Sequence, residues 1–238
     1  MKPAPLLQTI ANKGVAGSVY AIPSAGSTPL SLAAFARALP KTRQVRCFNY
    51  AGMEDSRRPH ETVEAMASDF LDEMTAADPE GPYALIGHCF GGTVAFEIAA
   101  QLEAAARPVE CLILIDTFTP NFQGSPPGPS AEEVRTTLGE IFRQTSANFT
   151  MLPEATVARF KKVFEQHIDA GTRYLGQPIH ADIHVIRTRS YPPSFFVNWP
   201  HLTTGTATDV IVPGNTASIL APTLVKILVR EVEALLDS

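Results

Sequence analysis

Residues 86–92 read Ile-Gly-His-Cys-Phe-Gly-Gly, directly after the apolar run Tyr83-Ala84-Leu85-Ile86 and ahead of a helical stretch over 93–104. Strand, glycine-bounded turn and helix are the setting in which a G-x-S-x-G pattern lifts a nucleophile to the top of a strand, over the N-terminus of the next helix. Here the pattern persists with Cys89 where serine is expected. A serine hydroxyl needs a base to attack at neutral pH; a thiol, with a reference pKa of about 8.5, is already a few per cent thiolate. The helix N-terminus should favour that anion further. Cys89 is therefore the candidate nucleophile, and the plain alternative is a free cysteine buried between glycines.

Such a turn needs a sheet to hold it. Apolar strand patterns fall at 18–22, 45–49, 83–86, 111–115, 183–188 and 208–212, alternating with helical patterns at 30–39, 63–76, 93–104 and 222–236. Alternation of this kind predicts an α/β fold with a mostly parallel sheet flanked by helices. It breaks between Pro120 and Pro178, where a Pro/Gly stretch over 124–129 precedes helical patterns at 131–144 and 155–174. Phe142, Phe149, Phe160 and Phe164 give this insertion aromatic bulk. It is expected to act as a helical lid, apolar enough for an acyl or polyketide-like chain, or else to be an ordinary helical hairpin packed on the sheet.

The length of 238 residues predicts a single domain over 1–238, with the lid insertion at about 120–178. A net charge of −5 gives no reason to expect nucleic acid or an anionic membrane as a partner. Three cysteines, two of them in predicted core strands, argue against a disulfide framework and for a cytoplasmic protein. The start, Met1-Lys2-Pro3-Ala4-Pro5, lacks the apolar stretch of a signal peptide, and no later run approaches a membrane span. Beginning at a methionine, the chain reads as a discrete protein rather than an excised synthase terminus. No His or Cys spacing suggests a metal, and no glycine loop suggests a bound phosphate, so no cofactor is expected.

Four segments resemble thioesterases of polyketide and nonribosomal peptide biosynthesis, which are α/β-hydrolases. Val19-Tyr20-Ala21-Ile22-Pro23-Ser24-Ala25-Gly26 resembles their first apolar strand and its turn. Tyr50-Ala51-Gly52, followed by Glu54-Asp55-Ser56, resembles the loop after the next strand. The elbow is the third, and Leu112-Ile113-Leu114-Ile115-Asp116 resembles the strand that ends in the catalytic aspartate, at the family's interval from the nucleophile. The resemblance implies Cys89 as nucleophile, Phe90 and Ala25 as backbone donors of the oxyanion hole, and Asp116 as the acid that orients the base. It also implies a substrate carried on the phosphopantetheine arm of an acyl or peptidyl carrier protein.

The family's last motif ends in glycine, one residue, and the catalytic histidine. In Val212-Pro213-Gly214-Asn215-Thr216-Ala217 that position falls on Thr216, and there is no histidine after His201. His201 and His167 are the candidate substitute bases; His88, His60, His180 and His184 read as structural or surface residues. Water needs general-base help to break an acyl-cysteine, typically worth about 10²- to 10⁴-fold. The expectation is an acyl-Cys89 enzyme that favours acyl transfer or cyclising release over hydrolysis. Two alternatives stay open: a hydrolytic thioesterase with its base in an unexpected place, and a catalytically retired scaffold that binds a carrier protein or acyl chain.

Overall fold

A computed structural model describes residues 4–15, 17–54, 56–124, 129–146 and 152–237. Seven strands form one sheet: β1 (Leu7–Ala11), β2 (Ser18–Ile22), β3 (Gln44–Phe48), β4 (Tyr83–His88), β5 (Val109–Ile115), β6 (Ile183–Thr188) and β7 (Ala207–Val212). Their order is β1-β3-β2-β4-β5-β6-β7, with β1 antiparallel to β3 and every other pair parallel.

Strand periodicity divides the core into two faces. Tyr20, Ile22, Phe48, Leu85, Leu112 and Leu114 point to one face, where they pack against α2 (Val63–Ala77) and α3 (Phe90–Ala104). Val19, Ala21, Val45, Ala84, Ile86 and Ile113 point to the other, against α1 (Ala33–Ala38) and α6 (Val225–Leu236). Every residue of β2 and β4 is buried, so these strands lack the polar alternation of a one-sided sheet. The insertion between β5 and β6 carries α4 (Ala131–Ser146) and α5 (Glu154–Arg173).

The expected strands are all present, and the sequence pattern missed β1. Its segment, Leu7-Gln8-Thr9-Ile10-Ala11, is half-buried at the sheet edge with a register shift between Thr9 and Ala11, so the alternation is blurred. Two helices start elsewhere than expected. The α3 helix begins at Phe90, not at 93, because Gly91 and Gly92 are themselves helical. The α6 helix begins at Val225, after a turn over 222–224. The expected helix at 30–39 divides into a 3₁₀ turn, Pro29–Leu32, and α1. Among the expected features, Phe149, Asp55 and residues 125–128 lie outside the described residues. No helix among the described residues is long and apolar enough to cross a membrane.

The chain leaves β2 toward β3 on one side and returns to β4 on the other, which opens a crevice at the carboxyl ends of the strands. Such a switch point is where open α/β sheets bind ligands. Ala25, Cys89, Asp116, Tyr191 and Thr216 all follow the carboxyl ends of β2, β4, β5, β6 and β7 respectively.

Candidate active site

Cys89 stands between β4 and α3 with φ 54° and ψ −122°, outside the regions that a residue with a Cβ prefers. Its N–H is tied to Ile115 O at 2.8 Å, so the elbow is pinned to β5. A Cβ on Gly87 would collide with the backbone of Gly91 and Gly92, which is why strand and helix can meet so closely here. The side chain is not sealed off. Cys89 borders a narrow cavity of about 60 Å³ with Phe118, Val134, Leu138, His167 and Ile168, and a larger one of about 340 Å³ with Ala25, Ser27, Phe142, Phe164 and Thr216.

Burial decides the thiol's acidity. It pushes Cys89 up to about 12; the Phe90 backbone N–H beside the sulfur works in the opposite direction, and Asp116 raises it further. Desolvation outweighs the helix end and works against the partial thiolate expected there. A thiol held this way can act as a nucleophile only with a proton acceptor within reach.

Asp116 is fully buried and also has positive φ, 47°. Three donors converge on its carboxylate: Thr188 N–H at 2.6 Å, Thr188 Oγ1–H at 3.0 Å and Thr216 Oγ1–H at 2.7 Å. The Thr216 hydroxyl lies 2.7 Å from Tyr191 OH as well. Its single proton serves Asp116, so Tyr191 donates to Thr216. Burial, with Cys89 and Asp116 nearby, pushes the Tyr191 phenol well up and keeps it a donor. The loop that carries Thr216 is set by Asn215, whose Oδ1 accepts from Ala217 N–H at 3.0 Å and Ser218 N–H at 2.8 Å.

Each histidine has a defined place. His88 turns its Nε2 to Thr216 O at 3.2 Å, and burial lowers its pKa; its buried Nδ1 has no hydrogen-bond partner among the described residues. His167, on α5, borders the narrow cavity, but its Nδ1 accepts from Gly26 N–H at 3.2 Å. The neutral ring then carries its proton on Nε2 and has no free lone pair for a proton from sulfur. Burial lowers its pKa to about 3, and it stacks on Phe90 at 4.8 Å between ring centroids. His201 is exposed in a 3₁₀ turn beside Phe122 and borders neither Cys89 cavity. His60, His180 and His184 bond to Asp69, Thr204 and Thr208. No imidazole hydrogen-bonds to Cys89 among the described residues, and no group of three metal-ligating side chains occurs among them.

The structure thus brings Cys89, Phe90, Ala25, His167, Asp116 and Thr216 together and leaves His201 apart. Sequence reasoning missed Tyr191 and Thr188. Neither sits in a motif; only the adjacency of β6 to β5 brings them beside Asp116.

Comparison with known proteins follows the same lines. Residues 18–236 match the family described as Thioesterase domain. Indigoidine synthase of Streptomyces lavendulae is 34% identical over 110 residues, 46% of this chain and 9% of the synthase. The chain spans less than a tenth of the length of the curated relatives it matches first. The RedJ thioesterase of the prodiginine biosynthetic pathway in Streptomyces coelicolor superposes with a TM-score of 0.76 at 20% identity, over 98% of this chain and 96% of its own. The surfactin thioesterase domain SrfTE gives 0.76 at 19%, over 98% and 96%. The chain belongs to the Thioesterase domain family, on the α/β-hydrolase fold.

Proposed function

We propose that the protein takes an acyl or peptidyl group from a carrier-protein phosphopantetheine thioester onto Cys89, and then passes it to a nucleophile other than water. Transfer to an amine or thiol, or ring closure by a nucleophile within the acyl chain, is favoured over hydrolysis. One observation carries this reading: the sulfur borders two cavities, while the place of the general base is filled by Thr216 on Asp116. Thioester-to-thioester exchange is nearly balanced in energy, and sulfur is intrinsically nucleophilic. Water needs stronger base help than an amine or a thiol, and a carboxylate reached through a hydroxyl is a weaker base than an imidazole, so the acyl-enzyme should outlive its exposure to water. The occupied Nδ1 of His167 and the remote position of His201 remove support from hydrolysis through either ring. SrfTE, which shares the fold, serves the cyclisation of the lipopeptide surfactin, and ring closure is the outcome assigned here to long acyl chains. In this reading Phe90 and Ala25 supply the oxyanion-hole N–H groups, and α4 and α5 form the lid over the acyl chain.

A second reading, a retired scaffold that binds acyl carriers without chemistry, is favoured by the high thiol pKa of about 12. Intact-protein mass spectrometry after incubation with a panel of acyl thioesters separates the two. The proposal expects an adduct that is absent in Cys89→Ala, persists in buffer and clears when an amine is added. Failure of every thioester to leave a mass on the parent protein would favour the scaffold. Rapid release of free acid, unchanged in Cys89→Ala, would overturn both.

A further inference from the structure

The chain from phenol to carboxylate beside Cys89 has no counterpart in an imidazole-based triad, and its geometry is complete: Tyr191 OH to Thr216 Oγ1 at 2.7 Å, and Thr216 Oγ1 to Asp116 Oδ2 at 2.7 Å. Thr216 is buried, yet it borders both the cavity of Cys89 and a cavity of about 500 Å³ that it shares with Ser190, Tyr191 and Asn215. A hydroxyl has two acceptor sites and one proton. Tyr191 occupies one acceptor site and thereby fixes the rotor, so that the proton points to Asp116 while the second acceptor site is left over.

We propose that Thr216 is a proton relay between the nucleophile that discharges acyl-Cys89 and Asp116, held in register by Tyr191, which is a positioning residue. This rests on the acyl-Cys89 reading above. As an amine attacks the thioester carbonyl, a C–N bond forms and an N–H proton passes to Thr216 Oγ1. The Thr216 proton moves at the same time to Asp116 Oδ2. The tetrahedral adduct then collapses with cleavage of the C–Sγ bond, and the proton returns from Asp116 through Thr216 to the sulfur. The products are the amide, Cys89 as a thiol, and Asp116 as a carboxylate. Acylation runs along the same path in reverse, with the thiol proton leaving through Thr216 and ending on the departing donor thiol. His88 supports the relay from the other side, since its Nε2–H holds the Thr216 carbonyl.

The test acylates the full chain with the octanoyl thioester of N-acetylcysteamine, adds butylamine, and follows loss of the adduct by intact mass in H₂O and D₂O. Thr216→Val should slow discharge by at least about tenfold, toward the 10²-fold or more that proton-transfer help is typically worth, and should lose the solvent isotope effect. Thr216→Ser, which keeps the hydroxyl, should stay within about threefold of the parent and retain that effect; a valine that only disturbs packing would not be distinguished from the parent by its isotope effect. Tyr191→Phe should fall between them, and Thr216→Ala replaces the valine variant should that one fail to fold. Discharge at the parental rate, with the parental isotope effect, in both Thr216→Val and Tyr191→Phe overturns the relay alone. A parent that never gains an adduct overturns the acyl-Cys89 reading, and the relay with it.

Discussion

Two of the residues to which the proposed reaction assigns the chemistry, Cys89 and Asp116, are held at positive φ, 54° and 47°. For a residue with a Cβ such a backbone costs about 1–3 kcal/mol and persists only where the surroundings over-determine it. The hydrogen bond from Cys89 N–H to Ile115 O and that from Asp116 N–H to Ile186 O, at 2.8 and 2.9 Å, are those surroundings. The elbow is therefore held firmly, and what differs from a serine enzyme is the elbow residue itself, Cys89, and the Thr216 that stands in the place of the base. Cys89→Ser should lower self-acylation by about 10²-fold or more, because a hydroxyl depends on a base more than a thiol does. Combining it with Thr216→His should restore acylation and yield free acid, since the new imidazole would sit where Thr216 meets Asp116. Chromatography of the released acid checks both steps; a double variant as inert as Cys89→Ser would show that the position cannot seat a working base.

Among the elements, α5 does more than cover the crevice. Gly26, at φ +60°, lies so close to it that an added Cβ would stand 2.6 Å from Phe164 Cβ, and its N–H is held by His167. Tyr50 OH fixes the same turn through Pro23 O at 2.6 Å. Gly26→Ala should push α5 away from the turn that carries Ala25. The expected result is a stability loss of about 1–3 kcal/mol in urea and a fall in acylation rate larger than that of an alanine substitution on the exposed face of α5. Equal rates would mean that the turn and α5 are not coupled. Most of this framework was legible beforehand. The strands that hold Cys89, Asp116 and Thr216 are short apolar runs bounded by turn residues, and Gly87-x-x-x-Gly91 announces the elbow. Three things were not legible. Edge strand β1 carries too little alternation to read. Burial at the elbow, which reverses the thiol's expected acidity, depends on residues as distant as Leu138 and Ile168. The hydroxyl of Tyr191 reaches Thr216 only because β6 and β7 pair and bring their following loops together.

At the scale of the whole molecule, the buried imidazole of His167 makes stability depend on pH. It is enclosed by Tyr50, Phe90 and the Gly26 turn, with His60 the nearby charge that also disfavours protonation. Its pKa falls from the ordinary 6.5 to about 3 on folding, so between these values the unfolded chain binds the proton and the folded chain does not. Stability then falls as pH drops: the neutral ring costs nothing above pH 6.5, and the loss grows until the folded pKa near 3 is reached. His88, lowered by burial as well, adds to it in the same direction. Between pH 7 and pH 4.5 the His167 contribution should amount to about 2–3 kcal/mol, two pH units below the unfolded value. His167→Phe keeps a ring against Phe90 and Tyr50 but cannot titrate. At pH 7 it should be about 1 kcal/mol less stable, from the unpaired Gly26 N–H. Its urea midpoint should then change less than the parent's on acidification, so that the two curves cross at about pH 5.5–6. Parallel curves over that range would place the acid-sensitive group elsewhere and leave α5 docking independent of pH.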